Sequence, residues 1–213
     1  MGLPDYYDYK PGVGPDGGVG DFDMMDSTQY DHNCFSKMLL GWVEPRRITF
    51  ISQIKMRKAE DTGDCGILMP AGRSPGQFGE FFLVENRRRS GNDAKAPFLG
   101  GLVVWHVDAA LDADGRNFLY NNQTASHKLL KFVEADGLEE LEKGLRKSVN
   151  VYDLFSAGTL LGPDTTPSSR LYDGSESGFL LRSAGGDDVA SFSMSPAAGK
   201  AKPAAQAAQR PRR

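Results

Sequence analysis

The residues that could carry chemistry in this chain are few, and their spacing limits the reactions they can support. The chain has three histidines, His32, His106 and His127, and no two of them lie four residues apart. The chain therefore lacks an H-E-x-x-H helix, in which two such histidines bind a metal on one helix face. His106 stands beside Trp105 in an apolar run, which indicates an interior histidine with a hydrogen-bond partner.

Four carboxylates, Glu85, Asp108, Glu134 and Asp136, lie in or beside apolar segments that are typical of strands. A carboxylate buried without a partner is costly, so we expect each of them to meet one. The arginines at 87–89 are candidates for ion pairs. Calcium is the other candidate, because it prefers oxygen ligands.

The two cysteines, Cys34 and Cys65, leave two alternatives open. They could form one disulfide in an oxidising compartment, or they could both be free and buried.

Two segments near the start of the chain carry more specific information. Residues 1–8 read M-G-L-P-D-Y-Y-D, in which Asp5 after Pro4 would on its own be typical of a turn. Residues 20–27 read G-D-F-D-M-M-D-S, and H-N-C-F-S-K-M-L-L-G-W-V follows at residues 32–43.

In this order the segments resemble the immune inhibitor A family of secreted zinc metallopeptidases, which are similar to metzincins. In that family H-E-x-x-H runs directly into a G-L-P-D-x-Y-D stretch, and a Met-turn of the form G-x-W-D-x-M-D-S follows. Phe22 stands where the family has tryptophan. The later segments FFLVENRR, GLVVWHVD and FVEADG resemble strand motifs of the same family, so the resemblance extends from Met1 to Met194.

The resemblance implies roles for four residues. Gly2 matches the glycine at which the chain turns after the zinc helix, and Asp5 matches the third metal ligand. Met25 matches the Met-turn methionine, which packs beneath the zinc without binding it. His32 most simply lies at the surface in the first turn of its helix or caps it, and its position after the Met-turn makes a contact with substrate in the cleft the alternative.

The chain also departs from the family pattern, because its sequence has neither the two histidine ligands nor the glutamate base. In the family register the second histidine would fall two residues before Met1. A site with one ligand of three does not hold zinc tightly, so we expect the chain as given to be inactive.

One helix and a series of strands are predicted around these segments. Asp31 is the predicted N-cap of a helix whose apolar residues repeat as far as Trp42. A second, polar helix is a candidate at residues 138–149. The predicted strands are 48–56, 81–86, 101–108, 128–136, 178–183 and 189–194.

These elements predict an α+β fold in which the C-terminal portion of a zincin-type catalytic domain is followed by an antiparallel β-rich body. We expect the catalytic portion to comprise residues 1–43, with the third-ligand loop, the Met-turn and one helix. The β-rich subdomain then comprises residues 44–195, and a disordered basic tail comprises residues 196–213.

Charge and hydropathy exclude several kinds of partner. The residues from Ala197 onward include five basic and no acidic side chains, so the remainder carries −8, the total of −3 less the tail's +5. Such a body does not attract nucleic acid, and no apolar run is long enough to span a membrane. The first 18 residues have neither the basic start nor the apolar stretch of a signal peptide. Secretion, peptide or protein substrates and a monomeric state are expectations from the resemblance.

Two functions remain open at this point. The first is that the chain is part of a secreted zinc-dependent metalloendopeptidase, with zinc in the full-length enzyme and calcium as a further candidate ion. The alternative is a non-catalytic β-rich binding or structural module that derives from such a peptidase.

Overall fold

The described part of the protein has a mixed α and β fold that consists mostly of antiparallel strands, with two short α-helices. The structure is a computed structural model and describes residues 2–10, 18–26, 29–69, 76, 78–96, 100–123 and 125–197. Met1, much of the glycine-rich loop and the predicted tail beyond residue 197 lie outside these described residues. In chain order the elements are α1 (Cys34–Leu39), β1 (Arg46–Ile48), β2 (Ile51–Arg57), α2 (Ala59–Thr62), β3 (Cys65–Leu68), β4 (Glu80–Arg88), β5 (Gly100–Asp108), β6 (Leu130–Phe132), β7 (Leu160–Leu161), β8 (Phe179–Gly185) and β9 (Val189–Pro196).

The strands form two sheets. Sheet A has five strands in the order β1-β3-β4-β5-β6, and sheet B has four in the order β2-β9-β8-β7. Neighbouring strands run antiparallel in both sheets, except that β1 and β3 are parallel. The predicted antiparallel body is therefore confirmed for all but one strand pair.

The centre of sheet A is the long pair of β4 and β5, which is in register from Glu80 opposite Asp108 to Arg88 opposite Gly100. Successive side chains of a strand point to opposite faces, and here both faces are buried. This double burial explains why the two segments read as nearly continuous apolar runs.

Each face of sheet A contributes to a separate hydrophobic core. The inter-sheet core lies on the side of sheet B and includes Phe82, Val84, Leu102, Val104, Met56, Phe179, Leu181 and Phe192. The helix-side core lies on the opposite face and includes Leu83, Val103, Trp105, Val107, Phe132, Tyr6, Phe22, Phe35, Leu141 and Val149. The molecule is thus layered, with sheet A between sheet B and the N-terminal residues.

The predicted strand at residues 48–56 is wrong as a single element. The chain leaves sheet A after Ile48 and enters sheet B at Ile51, so the segment belongs to two strands in different sheets. The register of β2 is also irregular between Ile51 and Ile54. A roughly alternating sequence does not by itself reveal which sheet a strand joins.

Two further predictions fail near Glu134. The predicted strand at residues 128–136 is confirmed only at Leu130–Phe132, because the N–H of Ala135 bonds to the carbonyl of Asp153 at 3.0 Å outside the sheet. The predicted helix at residues 138–149 consists of turns and bends. Glu139 and Gly144 have φ of 53° and 64°, and a right-handed helix does not accept that conformation.

The other predicted strands are confirmed as β4, β5, β8 and β9, and the predicted helix is present as α1. Its N-cap is Asn33 and not Asp31, because the Asn33 side chain accepts the N–H of Ser36 at 2.9 Å. The short elements β3, β7 and α2 had no prediction.

The predicted boundary between residues 43 and 44 is crossed by the helix-side core, which joins Tyr6, Phe22 and Phe35 to strands of sheet A. Cys34 and Cys65 lie in this core and are free thiols, so the free-cysteine alternative holds. In the part of the chain that the structure describes, no helix is long and apolar enough to cross a membrane.

Candidate functional site

The loop that carries Asp5 is half-buried and held by tyrosines. Gly2 has φ of 75°, a left-handed conformation that glycine adopts without steric cost. The Asp5 Oδ2 atom accepts hydrogen bonds from the Tyr9 hydroxyl and, at 3.5 Å, from the Tyr7 hydroxyl. The two tyrosine rings meet edge to face with centroids 4.6 Å apart. The carboxylate is therefore oriented by phenol donors.

The loop that carries Asp5 is bonded to the turn that carries Met25, although 19 residues lie between Asp5 and Met25 in the sequence. The N–H of Tyr6 donates to the carbonyl of Met25 at 3.0 Å, which joins the Asp5 loop to the turn at Met24–Asp26. Tyr6 is fully buried, and its hydroxyl is 3.0 Å from Ser36 Oγ in α1. Burial raises the pKa of the Tyr6 hydroxyl, so this group stays protonated. Met25 itself packs against the helix-side core.

Asp23 fixes the turn at Met25 from the inside of the protein. It is fully buried, and its Oδ1 atom accepts the N–H of Met25 at 2.8 Å and lies 3.1 Å from His32 Nδ1. Its Oδ2 atom accepts the N–H of Asn33 at 2.7 Å. One carboxylate therefore connects the turn, the histidine and the start of α1.

His32 is buried, so the interpretation of this residue as a surface side chain is wrong. Its exposed fraction is 2%, and its ring contacts Trp42 edge to face with centroids 5.9 Å apart. The residue precedes α1, which begins at Cys34. The contact with Asp23 orients the imidazole towards the turn, and little of its surface remains for a substrate to touch.

A buried ionic network lies beneath this site and includes two of its carbonyl groups. Arg87, in β4, is fully buried and bonds Asp93 through Nε at 2.7 Å and through Nη2 at 2.6 Å. The same guanidinium donates to the carbonyl of Phe22 at 3.0 Å and to that of Asp31 at 3.2 Å. Because those carbonyls flank Asp23 and His32, the network attaches the turn to sheet A.

Of the four carboxylates predicted in or beside strands, Glu85 and Asp108 meet side chains and Asp136 meets a backbone N–H. Glu85 accepts Trp105 Nε1 at 2.8 Å and lies 3.7 Å from Arg87 Nη1. Asp108 is 2.7 Å from His127 Nε2. Asp136 accepts the N–H of Leu138 at 3.0 Å. The predicted ion pair with the arginines at 87–89 is thereby confirmed for Glu85.

Glu134, the fourth carboxylate, has backbone partners. Its two oxygens accept the N–H groups of Glu140 at 2.7 Å and of Leu141 at 3.0 Å. Among the described residues, Glu134, Glu140 and Asp153 form the one group of three potential metal ligands whose atoms all lie within 4.8 Å of one another. Asp5, Asp108, Glu85 and Asp136 are outside that group.

His106 has the interior position and the partner that its context indicates. It is 6% exposed, and its Nε2 atom is 2.8 Å from Glu80 Oε1. The rings of Phe82, His106, Tyr172, His127 and Tyr120 stack in that order, with successive centroids 4.3, 4.4, 3.9 and 3.5 Å apart. Burial lowers the pKa of His106, which favours a neutral ring in this column.

A cavity of about 370 Å³ opens beside this column, lined by His106, Tyr172, Lys131, Arg170 and Thr165 among others. Its two cations are already engaged, because Lys131 lies 2.9 Å from Glu139 and Arg170 lies 2.8 Å from Asp164. The column and the cavity were not predicted, since Tyr172 and His127 reach β5 only through the tertiary fold.

Asp23 is the important residue of the site at Met25 that the sequence analysis missed, and Arg87 was expected to form ion pairs but not to bond the turn. The signal for Asp23 was its place in G-D-F-D-M-M-D-S, between apolar residues. Comparison of the chain with models of protein families, with curated proteins and with solved structures gave no match.

Proposed function

We propose that this chain is part of a secreted zinc-dependent metalloendopeptidase, in which Asp5 is one metal ligand and Met25 packs beneath the metal. The observation that carries the proposal is the hydrogen bond from the Tyr6 N–H to the Met25 carbonyl. This bond holds the segment of Asp5 against the segment of Met25. In a zinc site of the proposed kind, the third-ligand loop and the Met-turn have to lie together in this way. The sequence resemblance supplies the chemical assignment.

The residues of this chain do not by themselves fit a zinc site. Zinc in a catalytic site takes three protein ligands and keeps an open position. Among the described residues, Asp5 belongs to no group of three potential ligands. In the proposal the other two ligands and the general base come from an H-E-x-x-H helix that the 213 residues do not contain.

The role of the chain's own residues is to hold the third ligand in place. Tyr7 and Tyr9 orient the Asp5 carboxylate, and Asp23 fixes the turn to which that loop is bonded. A ligand that is positioned in advance loses less conformational freedom when it binds the metal. The β-rich body supports this arrangement through Arg87, which bonds the Phe22 carbonyl.

The coding frame upstream of Met1 provides the first test. We expect an in-frame H-E-x-x-H whose second histidine lies two residues before Met1. A frame without that motif would contradict the peptidase proposal and leave the alternative, a non-catalytic binding or structural module. The chain of 213 residues alone should hold no stoichiometric zinc, and tight binding of one zinc per chain would contradict the assigned ligand set.

In the protein that carries the zinc helix, Asp5→Ala should lower zinc affinity and remove most peptidase activity. The reason is that a three-ligand site loses one ligand. Zinc content by metal analysis and turnover of an unstructured protein substrate are the two measurements. Met25→Leu is the matched control, because it keeps an apolar side chain and removes no ligand, so its activity should stay within about threefold of wild type. Wild-type zinc content and turnover in Asp5→Ala would refute the ligand assignment.

A further inference from the structure

Three carboxylates from three different segments converge on one point. Glu134 follows β6, Glu140 lies in the turns that replace the predicted helix, and Asp153 ends the 3₁₀ turn at Val151–Asp153. One carboxylate oxygen from each residue lies within 4.8 Å of the other two. Glu134 and Asp153 are buried and Glu140 is half-buried, so the three are not a solvated acidic surface.

Asp153 adds an independent observation, because one of its oxygens lacks a donor. The residue is 2% exposed, and its Oδ2 atom accepts the N–H of Asn150 at 2.6 Å. Its Oδ1 atom is buried and has no hydrogen-bond partner among the described residues. A buried carboxylate oxygen without a partner is costly, and the carboxylate to which it belongs faces Glu134 and Glu140. This oxygen therefore indicates a ligand that the described side chains do not supply.

The charge at this point is also unbalanced. Asp136 lies close enough to repel both Glu134 and Asp153 electrostatically. Of the three carboxylates, Glu140 forms an ion pair with a cation outside the group: its Oε2 atom lies 3.6 Å from Arg146 Nη1, and the Arg146 side chain is 40% exposed. Such an exposed cation compensates buried negative charge weakly. Burial and the neighbouring carboxylates raise the pKa of Asp153 to about 6.

We propose that Glu134, Glu140 and Asp153 bind a calcium ion. All three donors are carboxylate oxygens, which suit a hard cation better than zinc. Calcium binds oxygen at about 2.3–2.6 Å, so two ligands on opposite sides of the ion are about 5 Å apart. The three oxygens are close enough to share one such coordination sphere.

Calcium fits better than magnesium because of the number of carboxylate ligands and the irregular segments that supply them. Magnesium demands near-ideal octahedral geometry and is usually held by one or two carboxylates, while it keeps several waters. Calcium accepts irregular geometry, and here three carboxylates come from three irregular segments. Bound calcium would cross-link the end of β6 to the 3₁₀ turn, which otherwise meet through the bond from Ala135 N–H to the Asp153 carbonyl. The inference does not depend on the peptidase proposal.

Calorimetric titration of the metal-free 213-residue chain with calcium chloride tests the site. We expect one calcium per chain with a Kd at or below about 1 mM, and weaker binding of magnesium. At a calcium concentration 100 times the Kd, Tm should rise by about 5–10 °C, because the ion binds the folded chain alone. No saturable binding, or tighter binding of magnesium than of calcium, would overturn the proposal.

Two variants locate the site. Asp153→Asn keeps an oxygen that can accept the Asn150 N–H, and Glu140→Gln alters a half-buried side chain, so both should fold. Each should weaken calcium binding at least about tenfold. Glu139→Gln is the matched control. It removes the same charge at the residue next to Glu140, but the Glu139 side chain pairs with Lys131 and not with the proposed ion. This variant should change the Kd less than about threefold. Equal calcium affinity in wild type, Asp153→Asn and Glu140→Gln would refute the assignment.

Discussion

At the scale of single residues, buried carboxylates organise this protein by accepting backbone N–H groups. Asp23 accepts two of them beside Met25, and Asp26 accepts the N–H groups of Val19 at 2.9 Å and Asp21 at 3.0 Å. Each carboxylate shapes a loop whose backbone would otherwise lack partners. The arrangement is possible in a short segment because an aspartate side chain reaches several N–H groups at once.

The free energy of unfolding should depend on pH through Asp26. Burial raises the pKa of its carboxyl group to about 6, from about 3.8 in the unfolded chain. Between these values the folded state binds more protons than the unfolded state, so stability falls as pH rises from about 4 to about 6. The contribution of this group is about 3 kcal/mol.

Urea unfolding of wild type and Asp26→Asn at several pH values measures this contribution. The variant has no proton to lose, so its stability curve should lack the decline that Asp26 causes. Asp114→Asn removes an exposed carboxylate and should keep the wild-type profile. Identical pH profiles for wild type and Asp26→Asn would contradict the assignment.

At the scale of elements, strand β4 connects both cores and the ionic network. Its apolar side chains enter the two cores, while Glu85 and Arg87 lie on the face towards the N-terminal residues. Their polarity is tolerated because each meets buried partners. Without that network, two charges in the middle of a buried strand would oppose folding.

Arg87→Ala should lower the free energy of unfolding by about 3–5 kcal/mol, because Glu85 and Asp93 would remain buried without their cation. The midpoint of urea unfolding, with the slope checked for two-state behaviour, is the measurement. Arg57→Ala is the control, since that side chain is 66% exposed and lies 3.9 Å from Asp64. It should cost less than about 1 kcal/mol. Similar losses of unfolding free energy in both variants would contradict a larger contribution from the buried network than from the exposed ion pair.

The elements also show what the sequence could and could not predict. Strands β4, β5, β8 and β9 were predictable because β-branched and aromatic residues recur along them. Strand β7 has two residues, which is too short for any periodicity. The polar stretch at 138–149 has the composition of a helix, yet Glu139 and Gly144 adopt positive φ there. The N–H groups of Glu140 and Leu141 bond to the Glu134 carboxylate in this conformation. Such tertiary bonds leave no trace in the periodicity of the sequence.

The same limit applies to the two proposed sites. Asp5 and Met25 were found by resemblance, because each lies in a short segment with a recognisable order. Asp23 was not singled out in the sequence, since its partners are known only once the turn is folded. Asp153 is 19 residues from Glu134, and only the fold places their carboxylates together.

At the scale of the whole molecule, the N-terminal residues cover one face of sheet A. Phe22 meets Phe132 and Trp105 with ring centroids 5.3 and 6.5 Å apart. Val149 packs so closely on Gly20 that a Cβ at Gly20 would lie 2.4 Å from Val149 Cγ2. The predicted catalytic portion and the predicted β-rich subdomain thus share buried surface.

A chain restricted to residues 44–197 should not fold into a stable monomer. It would expose the face of sheet A that carries Trp105 and Phe132, and large exposed apolar surfaces promote association. We expect it to bind a hydrophobic dye and to unfold without a sharp transition. A chain of residues 1–197 is the control, because it retains both cores. Cooperative unfolding of the shorter chain as a monomer without dye binding would contradict this expectation.

The pairing of β2 with β9 has a consequence for biosynthesis. Residues 51–57 pair with residues 189–194, so sheet B joins strands from distant parts of the chain. A nascent polypeptide on the ribosome cannot close this sheet until β9 has emerged from the exit tunnel. Until then the sheet B face of β4 and β5 is uncovered, and contacts between such distant residues form slowly. In the cell, this face is therefore the surface that a chaperone would have to protect during translation.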